Sequence, residues 1–490
     1  MKEKEIEEYL DGWLLRQNTG CEFSQRNLFK KEEYLKLLQD VLKTMQQNKD
    51  KSLEELREIL YENSQIEDSI KHFINDRKMA PGLVVSYGTS NYQETLVIGN
   101  KKEVEFREDG KRIEKKEMMD EDTIFDLASI TKLFTSLSIL KCVQYKILKL
   151  DDKVKDIVPE FKNLENVTVF DLLAFQVPLK TNKRIDKAAN KEEAENILFN
   201  IEIDQDNNNL RPYTDMGAMV LKYVIEKVSG MSYYEFLEKA ILKPNGLENT
   251  YANIPESKKE KVAATSGDGF YYKDGNYRIS ETPGIGVVYD PKARIMDQEH
   301  GNLSGHAGLF SNSSDMTTLA KQLMNYKILK DYELHELAKN RTGRKYKDNE
   351  VEKYIQYLGY LCYSKNPNQP DSEVYHALSG EAFASAGWTG TQLTVDQFNK
   401  IYFFLGGNRS HNRMTYIDPI QKEKIKSIGE KKIITLPNGI EMIDATRFAW
   451  DRDEAIVHKA IRLTIEYKML EDMVKLSEKE IQKEEKTRHI

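Results

Sequence analysis

Short strand-like apolar runs lie toward both ends of the middle of this chain, with a helical block between them, and that order restricts the fold more than any other feature. Leu83, Val84, Val85 and then Leu96, Val97, Ile98 are runs bounded by Gly88 and Gly99, which predicts a pair of neighbouring strands. Far downstream, Thr391, Leu393 and Val395, then Ile401 to Leu405, flank the polar tract Asp396 to Lys400 and predict a hairpin. Between these groups Leu133, Phe134, Leu137, Leu140 and Val143 recur at helical spacing, so Ser129 to Ile147 reads as a helix with one buried stripe. A second helix is predicted from Met216 to Val228, stopped by Ser229 and Gly230, and a third runs to Leu242 ahead of Lys243 and Pro244. Early strands, a central helical block and late strands predict an α+β fold: an antiparallel sheet flanked by helices, plus a mostly helical second subdomain over about residues 148–300.

Residues 1–76 are rich in Glu, Lys and Leu at helical spacing and read as a helical N-terminal extension. Two roles stay open for it, a homo-oligomer contact or a cover for the sheet. Residues 77–450 form the main domain in this reading, and 451–490 a charged C-terminal helix with Ile456, Ile461, Ile465, Met469 and Met473 on its apolar side. Residues 245–305 lack periodicity and read as a long loop region or insertion over the body, and the long loops at 180–210 and 255–305 are expected to shape a pocket.

With 73 Lys and Arg against 80 Asp and Glu spread along 490 residues, the net charge of -7 offers no concentrated basic face, so no nucleic-acid partner is expected. Cys21, Cys142 and Cys362 are too few and too far apart for a disulfide framework or a zinc site and suit a reducing compartment. The N-terminus has no apolar leader-like stretch and no segment reaches the length of a membrane span, so a cytoplasmic location without membrane association is expected.

The sharpest chemical signal is Phe125, Asp126, Leu127, Ala128, Ser129, Ile130, Thr131, Lys132. One helical turn puts the Ser129 hydroxyl and the Lys132 amine on the same face. A serine hydroxyl is a weak nucleophile near neutral pH and needs a base, or a cation that stabilises its alkoxide, and a desolvated lysine serves either purpose. The helix start adds backbone N–H groups for a developing oxyanion. The pair follows a strand-like stretch from Thr123 to Leu127 and sits among apolar residues, where a merely solvated lysine is out of place.

These residues resemble the penicillin-recognising serine hydrolases, specifically the class C β-lactamase, penicillin-binding protein and esterase branch, whose nucleophile motif is Ser, two residues, Lys. The resemblance spans roughly residues 80 to 410. Its second element is a Tyr followed two residues later by Asn, Ser or Asp, matched by Pro212, Tyr213, Thr214, Asp215 ahead of a helix. It implies Tyr213 as general base and acid, with its phenolate favoured by Lys132. For Asp215 three roles stay open: orienting Lys132, contacting substrate, or capping the helix it precedes. Gly305 to Ser311 also looks like a family segment, in which His306 is expected to be structural.

The third element, Lys or His then Thr or Ser then Gly on the strand walling the site, aligns with Ser385, Ala386, Gly387, followed by Trp388, Thr389, Gly390, Thr391. Here the chain departs from the pattern, because Ser385 brings no cation or imidazole, which weakens any claim to β-lactam or D-Ala-D-Ala recognition. Gly387 still permits close backbone approach, and the Trp388 and Ser129 amides are the candidate oxyanion donors.

The Gly-x-Ser-x-Gly elbow of α/β-hydrolases is missing, as are a phosphate-binding loop and a dinucleotide fingerprint. Asp297, Glu299, His300 and His306 match no metal-ligand spacing, so neither a metal nor a cofactor is expected. The expected activity is hydrolysis of a small-molecule or peptide ester or amide through an acyl-enzyme on Ser129, with Lys132 and Tyr213 catalytic and Asp215, Ser385, Gly387 and Trp388 toward substrate. The alternative is a weak or inactive ligand-binding module on the same scaffold.

Overall fold

The computed structural model describes residues 3–18, 29–106, 112–207, 213–265, 271–273, 276–278, 284–298, 301–348, 351–366, 373–413, 416–417, 426–428, 433–435, 441–443 and 448–488. Helices α1 (Glu3–Asn18), α2 (Lys31–Gln47) and α3 (Leu53–Ser64) come first. They are followed by strands β1 (Gly82–Thr89), β2 (Gln93–Phe106), β3 (Arg112–Met118) and the short β4 (Ile124–Asp126). The helical block includes α4 (Thr131–Gln144), α5 (Met216–Ser229) and α6 (Pro291–Met296). Then come β5 (Phe310–Asn312), α7 (Ser313–Met324), β6 (Tyr363–Ser364), β7 (Phe383–Gly387), β8 (Thr391–Asp396), β9 (Ile401–Gly407) and the C-terminal α8 (His458–Arg488).

Among the described residues the main sheet has seven strands in the order β6-β7-β8-β9-β1-β2-β3, and each neighbouring pair is antiparallel. The predicted strand pair and the predicted hairpin are thus both in this sheet, and β1 joins the two groups by pairing with both β2 and β9.

Alternation along the strands explains why their apolar runs are nearly continuous. Tyr402 and Phe404 of β9, with Phe383 and Leu393 on β7 and β8, enter the core shared with the helical block. Phe403 and Leu405, with Leu83, Val85 and Tyr87 of β1, enter a second core with Trp13, Tyr34, Leu38, Ile461 and Met469 from the terminal helices. Successive side chains of a strand point to opposite faces, so a sheet covered on both sides must be apolar at every position. The molecule is therefore a three-layer arrangement in which α1 to α3 and α8 cover one face, as the second of the two roles held open for residues 1–76 requires. Buried polar contacts tie these helices together, with Arg57 of α3 2.5 Å from Glu471 of α8 and Tyr9 of α1 donating to Asp472 at 3.0 Å.

Two expectations need correction. The helix placed at Ser129 begins at Thr131, after a 3-10 turn over Ala128–Ile130, because the chain leaves β4 through a left-handed Ala128 (φ +45°). The stretch 245–305, read as loop, contains α6, a 3-10 turn over Glu256–Lys261 and a small hairpin of Tyr271–Lys273 with Asn276–Arg278. These elements are too short for periodicity to reveal. Helix α5 ends as expected, with Gly230 in the left-handed cap at φ +69°. Cys142 and Cys362 are buried free thiols, while Cys21 lies outside the described residues. No helix among the described residues is long and apolar enough to cross a membrane.

Candidate active site

The nucleophile turn is held from several sides. Ala128 occupies a backbone region that L residues populate sparsely, and such strain persists only where the surroundings enforce it. The Ala128 amide donates to Asp126 Oδ1 at 2.8 Å, and the Tyr289 amide donates to Asp126 Oδ2 at 2.7 Å. Burial pushes the Asp126 carboxyl up to about 6 against these two amides, with Asp290 adding to the rise. From the sheet, the Thr389 hydroxyl donates to Asp126 O at 2.6 Å and the Thr391 hydroxyl to Leu127 O at 3.2 Å. Gly387 fits between them because it lacks a side chain: a Cβ there would lie 2.4 Å from Leu127 O and 2.1 Å from Thr391 Oγ1. The strand thereby reaches the nucleophile turn as closely as two backbones can.

Lys132 is fully buried and donates to Ser129 Oγ at 2.8 Å and to the carbonyl of His306 at 3.3 Å, while its ammonium lies 2.7 Å from Asp215 Oδ1. Burial alone would strip its proton, but the Asp215 carboxylate and the Tyr213 phenol outweigh burial and hold the amine above its ordinary range. Its three protons have three acceptors, Ser129 Oγ, the His306 carbonyl and Asp215 Oδ1.

Tyr213 is half-buried, with its ring 4.8 Å from the Lys132 ammonium and stacked between Phe175 and Tyr363 at centroid distances of 5.5 and 5.2 Å. Of the roles held open for Asp215, capping is corrected, since its side chain makes no cap hydrogen bond, and contact with Lys132 is what the geometry shows. Ser385 is buried on β7 opposite Leu393, so it shares the sheet face that meets the helical block. Trp388 is half exposed at the end of β7, and its ring and carbonyl engage Arg409, whose Nε donates at 2.5 Å. Pro212 lies outside the described residues.

Residues from the segment once read as loop complete the site. Lys292 lies 3.1 Å from Asp215 Oδ2 and 2.9 Å from Asp290 Oδ2, and Asp290 Oδ1 lies 3.0 Å from His306 Nε2. His306, expected to be merely structural, is therefore tied by its ring to this ionic chain and by its carbonyl to Lys132. The only signal in the sequence was its place in the Gly305–Ser311 segment, whereas nothing local marks Lys292 or Asp290. Asp215, Asp290 and His306 offer ligand atoms within 4.8 Å of one another, yet the Lys292 ammonium already sits between the two carboxylates, so the donor set is that of an ion-pair chain. Of the other metal-ligand candidates, Asp297 is buried against Lys222 and Lys191 at 3.1 and 3.5 Å, while Glu299 and His300 lie outside the described residues.

A serine on a strained turn between a strand and a helix, with a buried ammonium against its hydroxyl and a two-faced sheet as one wall, defines the class of serine hydrolases that start a helix with Ser-x-x-Lys. The chain belongs to the Beta-lactamase family, whose model matches residues 76–423. A putative D-alanyl-D-alanine carboxypeptidase of Escherichia coli (strain K12) is 27% identical over 338 residues, covering 64% of this chain and 75% of that protein. Among solved structures, a class C beta lactamase from Rhodobacter sphaeroides superposes with a TM-score of 0.50 at 18% identity, covering 70% of this chain and 94% of that one. EstCE1, described as a hydrolase with promiscuous acyltransferase activity, gives a TM-score of 0.52 at 16% identity over 70% of this chain and 93% of that one. At these identities the two structures attest the fold.

Proposed function

We propose that this member of the family hydrolyses an ester or amide through an acyl-enzyme on Ser129, with esterase- or peptidase-like character rather than efficient β-lactam hydrolysis. The observation that carries the reading is the buried Lys132 ammonium donating to Ser129 Oγ at 2.8 Å while Asp215 holds its charge. Ser129 Oγ attacks the carbonyl carbon as its proton passes to Tyr213. The oxyanion is received by the Ser129 and Trp388 amides, the latter brought close by Gly387. Tyr213 then returns the proton to the departing alcohol or amine as the C–O or C–N bond breaks. Water attacks the acyl-enzyme by the same proton path, releasing the acid and restoring the serine.

The relative's description as a carboxypeptidase and that of EstCE1 as a hydrolase and acyltransferase support this substrate range. Ser385 in place of the family's cation argues against tight recognition of a β-lactam carboxylate. Intact-mass spectrometry after incubation with a fluorophosphonate, and separately with a β-lactam, tests the reading. A single adduct with the fluorophosphonate that is absent in Ser129→Ala is expected, with slower or no labelling by the β-lactam. Folded protein that takes up neither probe would overturn it in favour of a binding module.

A further inference from the structure

Lys292 and Asp290 are charged residues of the site that belong to none of the motifs of the resemblance. Lys292, on α6, faces the second oxygen of Asp215 at 3.1 Å while Lys132 faces the first at 2.7 Å, so a single carboxylate is divided between two ammonium groups. Asp290 is divided in turn among Lys292, the His306 ring and the Ala293 amide, the last donating at 3.0 Å.

We propose that Lys292 is a positioning residue for acyl transfer at Ser129: by drawing on the far oxygen of Asp215, it lets that carboxylate hold Lys132 in place without cancelling its charge. The inference rests on the acyl-enzyme reading above and extends it. Beside a fully buried Lys132, a carboxylate serving it alone would offset much of the field that Lys132 projects onto Ser129. With Lys292 on its far side, Asp215 is shared between two ammonium groups, and Asp290, the counter-ion of Lys292, stands a contact further along the chain from Ser129. The Lys132 charge nearest Ser129 is therefore offset less, which favours both the oxyanion forming at Ser129 and the ionised form of the group that takes the serine proton. The sheet wall supplies no cation at Ser385, and the second cation comes instead from α6, in the segment 284–298.

The groups that act on Lys292 are Asp215 and Asp290 in direct contact, Asp186 from the 3-10 turn Ile185–Lys187 packed beside α6, and Lys132 and His306 one step further along the chain of charges. Burial opposes its charge, but Asp290 and Asp215 outweigh burial, so the ammonium persists through neutral pH.

The test measures the rate of fluorophosphonate labelling of the full chain against pH for the wild type, Lys292→Met and Lys292→Arg, with circular dichroism and thermal melting as checks on folding. The Met variant is expected to label about 10- to 100-fold more slowly at neutral pH. Its acidic limb should move to higher pH, because losing a cation makes the proton acceptor harder to ionise. The Arg variant should return the limb toward its wild-type position. A folded Met variant that labels at the wild-type rate with an unmoved limb overturns the proposal, as does a folded Arg variant that leaves the limb displaced. Should the Met variant not fold, Asp290→Asn carries the test with opposite sign: removing an anion behind Lys292 moves the limb to lower pH, and an unmoved limb counts against the proposal. Failure of the wild type to label at Ser129 overturns the acyl-enzyme reading itself, and this inference with it, so the two failures are distinguishable.

Discussion

Asp215 is the residue on which the electrostatics of the site turn. It is the counter-ion of a lysine with no exposed surface, and removing one member of a buried pair costs about 3 to 5 kcal/mol because the other charge is left uncompensated. Asp215→Ala is therefore expected to lose stability on that order in urea unfolding and to label with fluorophosphonate at least ~100-fold more slowly. Without the carboxylate, burial drives the Lys132 pKa below its unfolded value of about 10.4, so the unfolded chain binds more protons and the stability deficit narrows as pH rises. A variant as stable as the wild type at neutral pH would show that Lys132 does not depend on this partner. Ser129 and Lys132 were legible as a pair because one helical turn is local geometry. The role of Asp215 was not, since a side chain ahead of a helix suits a cap, a ligand contact or an ion pair equally until the partner helix is placed.

At the scale of elements, the terminal helices carry a second titration. Glu466 of α8 faces a cavity lined also by Asp40, Thr44, Leu60 and Asn63 of α2 and α3, and burial, with the charge of Asp40 behind it, pushes its carboxyl up from the ordinary 4.5 to about 8. A carboxyl whose folded value is raised contributes stability that is complete below its unfolded value and lost as pH rises through the folded value. Glu466→Gln should therefore melt several degrees above the wild type at pH above about 8 and converge with it toward pH ~4, read by differential scanning calorimetry. Parallel melting curves across that range would contradict the assignment. The apolar stripe of α8 was readable from Ile456, Ile461, Ile465, Met469 and Met473, because 3.6-residue periodicity is a property of one helix. The placing of Glu466 and Asp40 on one cavity was not, because it brings together residues far apart in sequence.

At the scale of the whole molecule, the terminal helices and the sheet share one core, so the C-terminus is a structural layer rather than an appendage. Removing residues 453–490 exposes Leu83, Val85, Phe403 and Leu405 on the sheet, and the truncated chain is expected to lose its cooperative melt and to bind a hydrophobic dye. A cooperative transition in that chain would show that the sheet closes without α8. By itself, the sequence determined which segments become strands and helices where periodicity runs long enough, the α+β class, and the Ser129, Lys132 and Tyr213 elements of the resemblance. Short-range spacing dictates these, and hydrophobic pattern sets which faces must be covered. Only the tertiary structure decided that α1 to α3 and α8 lie together on one face, that Asp215 turns to Lys132, and that Lys292, Asp290 and His306 extend the site. Those contacts lie between segments whose meeting depends on how the layers pack, and the electrostatics follow from burial that no local pattern encodes.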